Sequence, residues 1–145
     1  MIRRDKQLRL AAALLIANLI LIWGNSLLPG EISRAISSFV RDLFDWSVSG
    51  DITPDQGHGL LRKLAHFTEF ASLGMILTWI MILLERPHPL ALAVGFAAAC
   101  IDETIQIFVP DRGPAFTDVL IDTSGVLTGL LLLLLIRRWR NQSPH

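Results

Sequence analysis

Eight polar residues are the first candidates for chemistry in this sequence: His66, Glu69, Asp102, Glu103, Gln106, Arg112, Asp118 and Asp122. On helices, four pairs among them would share a face: His66 with Glu69, Glu103 with Gln106, Asp102 with Gln106, and Asp118 with Asp122. An imidazole among carboxylates offers two kinds of chemistry. It can join them in ligating a divalent metal, for which His66, Glu69, Glu103 and Asp122 are the candidates. Alternatively, His66 can act as a general base oriented by a carboxylate. Arg112 offers a third possibility. It stands in a turn with Pro110, Gly113 and Pro114, and a guanidinium matches phosphate oxygens two at a time. Arg62 and Lys63 are placed to assist it. No nucleophile motif accompanies the set. Ser72 and Ser124 read as ordinary helix serines, and His58 and His88 as solvated. His145 is terminal.

The elements that must hold these groups are strongly apolar. The 145 residues have a mean hydropathy of +0.49 and are 52% hydrophobic and 18% charged. Soluble domains carry about 25% charge. The formal net charge is zero, so no bulk field draws nucleic acid. The lone cysteine, Cys100, excludes an internal disulfide and reads as a small packing residue. A membrane-spanning helix needs roughly 20 mostly apolar residues. Four stretches satisfy that, at about 8–28, 64–84, 90–109 and 116–136. The first follows Arg3, Arg4, Lys6 and Arg9 like a signal peptide, but its apolar run is long for one and lacks a small-residue cleavage site. It reads as a retained helix.

The connections differ. Residues 85–89 and 109–115 are short, proline-containing turns, whereas 29–63 is long. Within that outer loop, Ile32, Ala35, Ile36, Phe39, Val40, Leu43 and Phe44 recur at helical spacing, with Arg34, Ser37, Ser38, Arg41, Asp42 and Asp45 between them. This predicts an amphipathic surface helix. Residues 51–59, with Pro54, Gly57 and Gly59, read as a loop. The expectation is one all-α membrane domain over 1–145, a four-helix bundle with an amphipathic helix on its extracytoplasmic side.

Basic residues set the orientation. Eight lie on the side of the termini and the second turn: Arg3, Arg4, Lys6, Arg9, Arg86, Arg137, Arg138 and Arg140. Five lie on the other side, over longer loops: Arg34, Arg41, Arg62, Lys63 and Arg112. Both termini are therefore expected in the cytoplasm. Trp46 and Trp139 suit interfacial positions. With this topology the eight candidate residues fall at one depth. Glu69 and Asp122 lie less than two turns in from the outer side, and Glu103 lies about 9 Å from the end of its helix. The inner halves of the spans are almost purely apolar, which argues against a through-path for ions. Ionisable groups in hydrocarbon cost at least ~2.5–3.5 kcal/mol each, so they normally face the bundle interior. Gly125 and Gly129 continue the face of Asp118 and Asp122, leaving Leu120, Leu127, Leu131 and Leu134 for lipid. Asn18 and Asn25 share a face of the first helix and read as hydrogen-bonding partners for other helices.

Three segments carry a resemblance. Lys63-Leu-Ala-His66-Phe-Thr-Glu69-Phe70, Asp102-Glu103-Thr-Ile-Gln106-Ile-Phe108-Val-Pro110-Asp-Arg112, and Asp118-Val-Leu-Ile-Asp122-Thr-Ser-Gly125 resemble, in order, signatures of the VanZ-like membrane proteins. Asn25-Ser26 through Gly30 also resembles the end of that family's first helix. Phe70 stands where the family often has Tyr, and 29–63 is poorly matched. The resemblance implies a bacterial cytoplasmic-membrane protein of the cell envelope, linked to resistance to the glycopeptide teicoplanin. Three readings of the polar layer stay open. It can bind an anionic, lipid-linked or cell-wall component at the outer leaflet, with Arg112 as its anchor. It can form a metal- or His/carboxylate-dependent enzyme acting on an envelope lipid. Or it can only fix helix packing for a partner protein. Membrane lipids and a lipid-linked precursor or glycopeptide are the expected partners, and the sequence requires no cofactor.

Overall fold

A computed structural model describes residues 2–43, 54–113 and 115–142 of the chain. Five α-helices follow in order: α1 Ile2–Ser26, α2 Gly30–Leu43, α3 Pro54–Leu83, α4 Pro89–Ile107 and α5 Phe116–Gln142. No strand occurs among the described residues. Four of the helices, all but α2, are long and apolar enough to cross a membrane. The chain is an all-helical membrane protein, as its four long apolar stretches predict. α3 differs from expectation at its start. It begins at Pro54, ten residues ahead of the expected 64, so 54–59 is helix where a loop was read. Proline suits a first helical position, where its missing N–H costs nothing. Asp51 to Thr53, and Phe44, Asp45 and Trp46, lie outside the described residues.

The bundle is polar within and apolar without. Asp102, Asp122, Gln106, Thr78 and Ser26 are among its largest fully buried side chains, beside Phe70, Ile22 and Leu73. Ile16, Ile20, Leu21, Leu120, Leu131 and Leu135 are exposed on its outside. Monomeric soluble proteins rarely carry so large an apolar surface. Leu120, Leu127 and Leu131 face outward as expected, but Leu134 is partly buried against the core. On α2, Ile32, Ile36 and Phe39 are exposed on one side of the helix, which suits a membrane surface.

α3 and α5 form the most extensive helix pair. Glycine makes it possible. A methyl group on Gly125 would meet the Phe67 carbonyl oxygen at 2.5 Å, and one on Gly129 would meet that of Ala71. The backbones of the two helices thus touch, as small-residue faces permit. At the end holding the termini, Arg4 pairs with Glu85 at 2.9 Å. There α3 closes with Glu85 at φ 55, Arg86 N–H donating to Met81 O, and Glu85 N–H donating to Ile82 O. That is a Schellman ending with glutamate at the usual glycine position. The hydrophobic cluster of Leu73, Leu77, Met81, Ala91, Val126 and Leu130 fills this half of the interior.

Candidate functional site

The opposite half of the interior is polar. α1 contributes Asn25 and Ser26 from its last turn. α3 contributes Arg62, His66 and Glu69 from its middle, α4 contributes Asp102, Glu103 and Gln106 from its last turns, and α5 contributes Asp118 and Asp122 from its first. The turn after α4 contributes Arg112. All eight candidate residues therefore lie in this half of the molecule. His66, Asp102, Glu103, Gln106, Arg112 and Asp122 are buried, while Glu69 and Asp118 are half-buried.

The centre is a carboxylate–imidazole group. His66 Nδ1 lies 3.6 Å from Asp102 Oδ2 and 3.8 Å from Asp122 Oδ1. Asp102 is held on both sides. Ser26 Oγ donates to its Oδ1 at 2.6 Å, and Gln106 Nε2 donates to its Oδ2 at 2.9 Å. The i,i+4 spacing of Asp102 and Gln106 is thus used as the sequence suggests. Asp122, fully buried, has no hydrogen-bond partner on either oxygen.

The surrounding residues divide into two arms. In one, Asn25 Nδ2 donates to Glu69 Oε1 at 3.3 Å. Asn18 Nδ2 donates to Ser72 Oγ at 2.6 Å, so both asparagines bridge α1 to α3 as their spacing suggests. In the other arm, the Ala115 N–H donates to Glu103 Oε2 at 2.9 Å, and Arg62 pairs with Asp118 at 3.5 Å. Glu103 thus ties α4 to the entry of α5. The metal candidates of the sequence do not all converge. His66 and Asp122 do, Asp102 joins them, and Glu69 and Glu103 are engaged elsewhere.

Arg112 sits differently from a side chain reaching into open space. Its Nε donates to Leu28 O at 3.1 Å and one Nη donates to Asn25 O at 2.9 Å. A helix C-terminus leaves carbonyls without partners and carries partial negative charge, and a guanidinium there satisfies both needs. Arg112 is therefore the cap of α1, and it pairs with neither Asp118 nor Glu103. The turn that delivers it is tightly made. Arg112 N–H closes on Val109 O at 3.3 Å, with Pro110 second and Asp111 third at φ 57. Those are the features of a type II turn. Its Pro110 carbonyl accepts the Gly30 N–H at 3.3 Å, and Gly30 lies against the Asp111 backbone with no room for a side chain. Burial lowers the Arg112 pKa from its ordinary value, and the nearby Arg62 charge lowers it further. Asp102, Glu103 and Glu69 act the other way. Its third nitrogen, Nη1, is buried without a partner.

Ser26 and Asn25 are central to this arrangement; Asn25 is marked in the sequence by the face it shares with Asn18, and Ser26 only weakly. The available signal was two successive polar residues in the last turn of an otherwise apolar helix.

Four long apolar helices around a buried polar layer define a polytopic membrane protein. Residues 10–137 match the family model described as VanZ/LLP1, and the chain belongs to that family. No curated protein and no solved structure matches it.

Proposed function

We propose that this VanZ-like protein binds an anionic, lipid-linked headgroup at the outer leaflet, its polar layer receiving the phosphate and sugar-like hydroxyls. One observation carries the reading. Arg112 Nη1, Glu69 Oε2, Glu103 Oε1 and both oxygens of Asp122 are buried without partners in the same half of the bundle. Buried polar groups are normally satisfied, and each one left over costs about 1–3 kcal/mol. A ligand bearing both acceptors and hydroxyl donors would satisfy them together. Arg62 and Arg112 also bring two like charges to the layer, which a bound phosphate would relieve. Lys63, exposed on α3, would assist them.

The positive-inside count supports placing this half outward and both termini in the cytoplasm of a bacterial inner membrane. Glycopeptide resistance, which the family implies, fits a protein that engages a cell-wall lipid at that face.

Native mass spectrometry of the detergent-purified protein tests the reading, with added polyprenyl phosphate as the probe and phosphatidylcholine as the neutral comparison. The expected result is selective retention of the phosphate lipid, lost in Arg112→Ala and weakened in Arg62→Gln. A folded wild-type protein that retains neither lipid, or both equally, rejects it.

The position of His66 between two aspartates favours a second reading, a His/carboxylate-dependent enzyme acting on the same lipid. Conversion of a labelled polyprenyl diphosphate or phospholipid by wild type, and not by His66→Gln, would support it.

A further inference from the structure

His66 Nδ1 is close to two carboxylates and hydrogen-bonded to neither: 3.6 and 3.8 Å both exceed hydrogen-bond length. One ligand atom each from His66, Asp102 and Asp122 lies within 4.8 Å of the other two, and all three residues are buried. Ligands held ~2.1 Å from a tetrahedral ion lie about 3.4 Å from one another. These separations therefore approach the edges of a coordination polyhedron. Asp122 adds an independent sign. It is 0% exposed, and neither carboxylate oxygen has a hydrogen-bond partner. A buried carboxylate left this way lacks the compensation that buried charge requires.

We propose that His66, Asp102 and Asp122 form a binding site for a divalent transition-metal ion. Two carboxylates and a neutral imidazole balance the charge of a dication, so the loaded site carries no net charge into the low-dielectric interior. An imidazole donor favours zinc or manganese over magnesium and calcium, which prefer all-oxygen shells. Asp102 has the outer support that metal-ligating carboxylates usually show, from Ser26 Oγ and Gln106 Nε2. Three protein donors leave a coordination position open, as in reactive rather than purely structural sites. The proposal does not depend on lipid binding: the ion can be measured with no lipid added.

The test uses the full chain in detergent, without a polyhistidine tag, stripped with chelator and titrated with Zn²⁺ and, separately, Mn²⁺. Elemental analysis after desalting gives stoichiometry, and calorimetry gives affinity. Cys100→Ser serves as background to remove adventitious thiol binding. The expected result is a single equivalent, largely lost in His66→Gln and Asp122→Asn. Ser26→Ala, which loosens Asp102 without removing a ligand, should bind about 10- to 100-fold more weakly. Circular dichroism and size exclusion establish folding. If Asp122→Asn does not fold, Ser26→Ala and the Co²⁺ absorption spectrum of His66→Gln decide. A wild-type protein that takes up no metal, or folded variants that bind as tightly as wild type, overturns the site.

Discussion

Asp102 receives one hydrogen bond from Ser26 and another from Gln106, and the first can be deleted with little change of shape. Ser26→Ala should cost about 1–3 kcal/mol, because a buried carboxylate oxygen loses its donor. Thermal unfolding in detergent would show it as a lowered midpoint. Arg112→Lys should be costly too, although charge is kept. An ammonium cannot reproduce a planar fork that serves Leu28 O and Asn25 O together. The Arg62–Asp118 pair is another matter. It is long at 3.5 Å and partly exposed, so Asp118→Asn should alter stability by less than about 1 kcal/mol. If the layer binds a phosphate headgroup, the same variant should change affinity with folding retained. At this scale the sequence indicates which polar residues the bundle gathers together, and is poor on their partners. A serine hydroxyl and backbone carbonyls at the end of α1 and just beyond it complete the network, and no spacing rule within one helix reports contacts made across helices.

The glycines of the helices divide by surroundings. Gly129 faces the Ala71 carbonyl on α3, whereas Gly24, inside α1, has nothing within 4 Å of where a methyl would stand. Gly129→Ala should separate α3 from α5 and cost about 1–3 kcal/mol. Gly24→Ala should be neutral or stabilise by up to about 1 kcal/mol, through helix propensity alone. Chemical denaturation of the pair, side by side, checks both. Glu85, at φ 55, gives a third case. Glycine there should stabilise the turn, because its exposed ion pair with Arg4 contributes little. The apolar runs located the four long helices well, and the Gly125–Gly129 face was visible as a stripe of small residues. The start of α3 was not visible, since Pro54, Gly57 and Gly59 argue locally for a loop. Helix formation there is a matter of the chain around it, which a local reading does not capture.

The molecule as a whole is asymmetric along its helices. Leu73, Leu77, Met81, Ala91 and Leu130 close the half near the termini, while the ionisable groups occupy the other. Reporter fusions at both ends should place the termini in the cytoplasm, as the distribution of basic residues predicts. The three polar segments, in their order along the chain, resemble the family's signatures closely enough to suggest it, and the family model over residues 10–137 bears that out. The asymmetry also has a consequence for access. With the ionisable groups gathered at one end of the interior and hydrocarbon side chains filling the other, the described helices enclose no continuous polar path from end to end. Any ligand of the polar layer would then reach it from one side of the bundle alone.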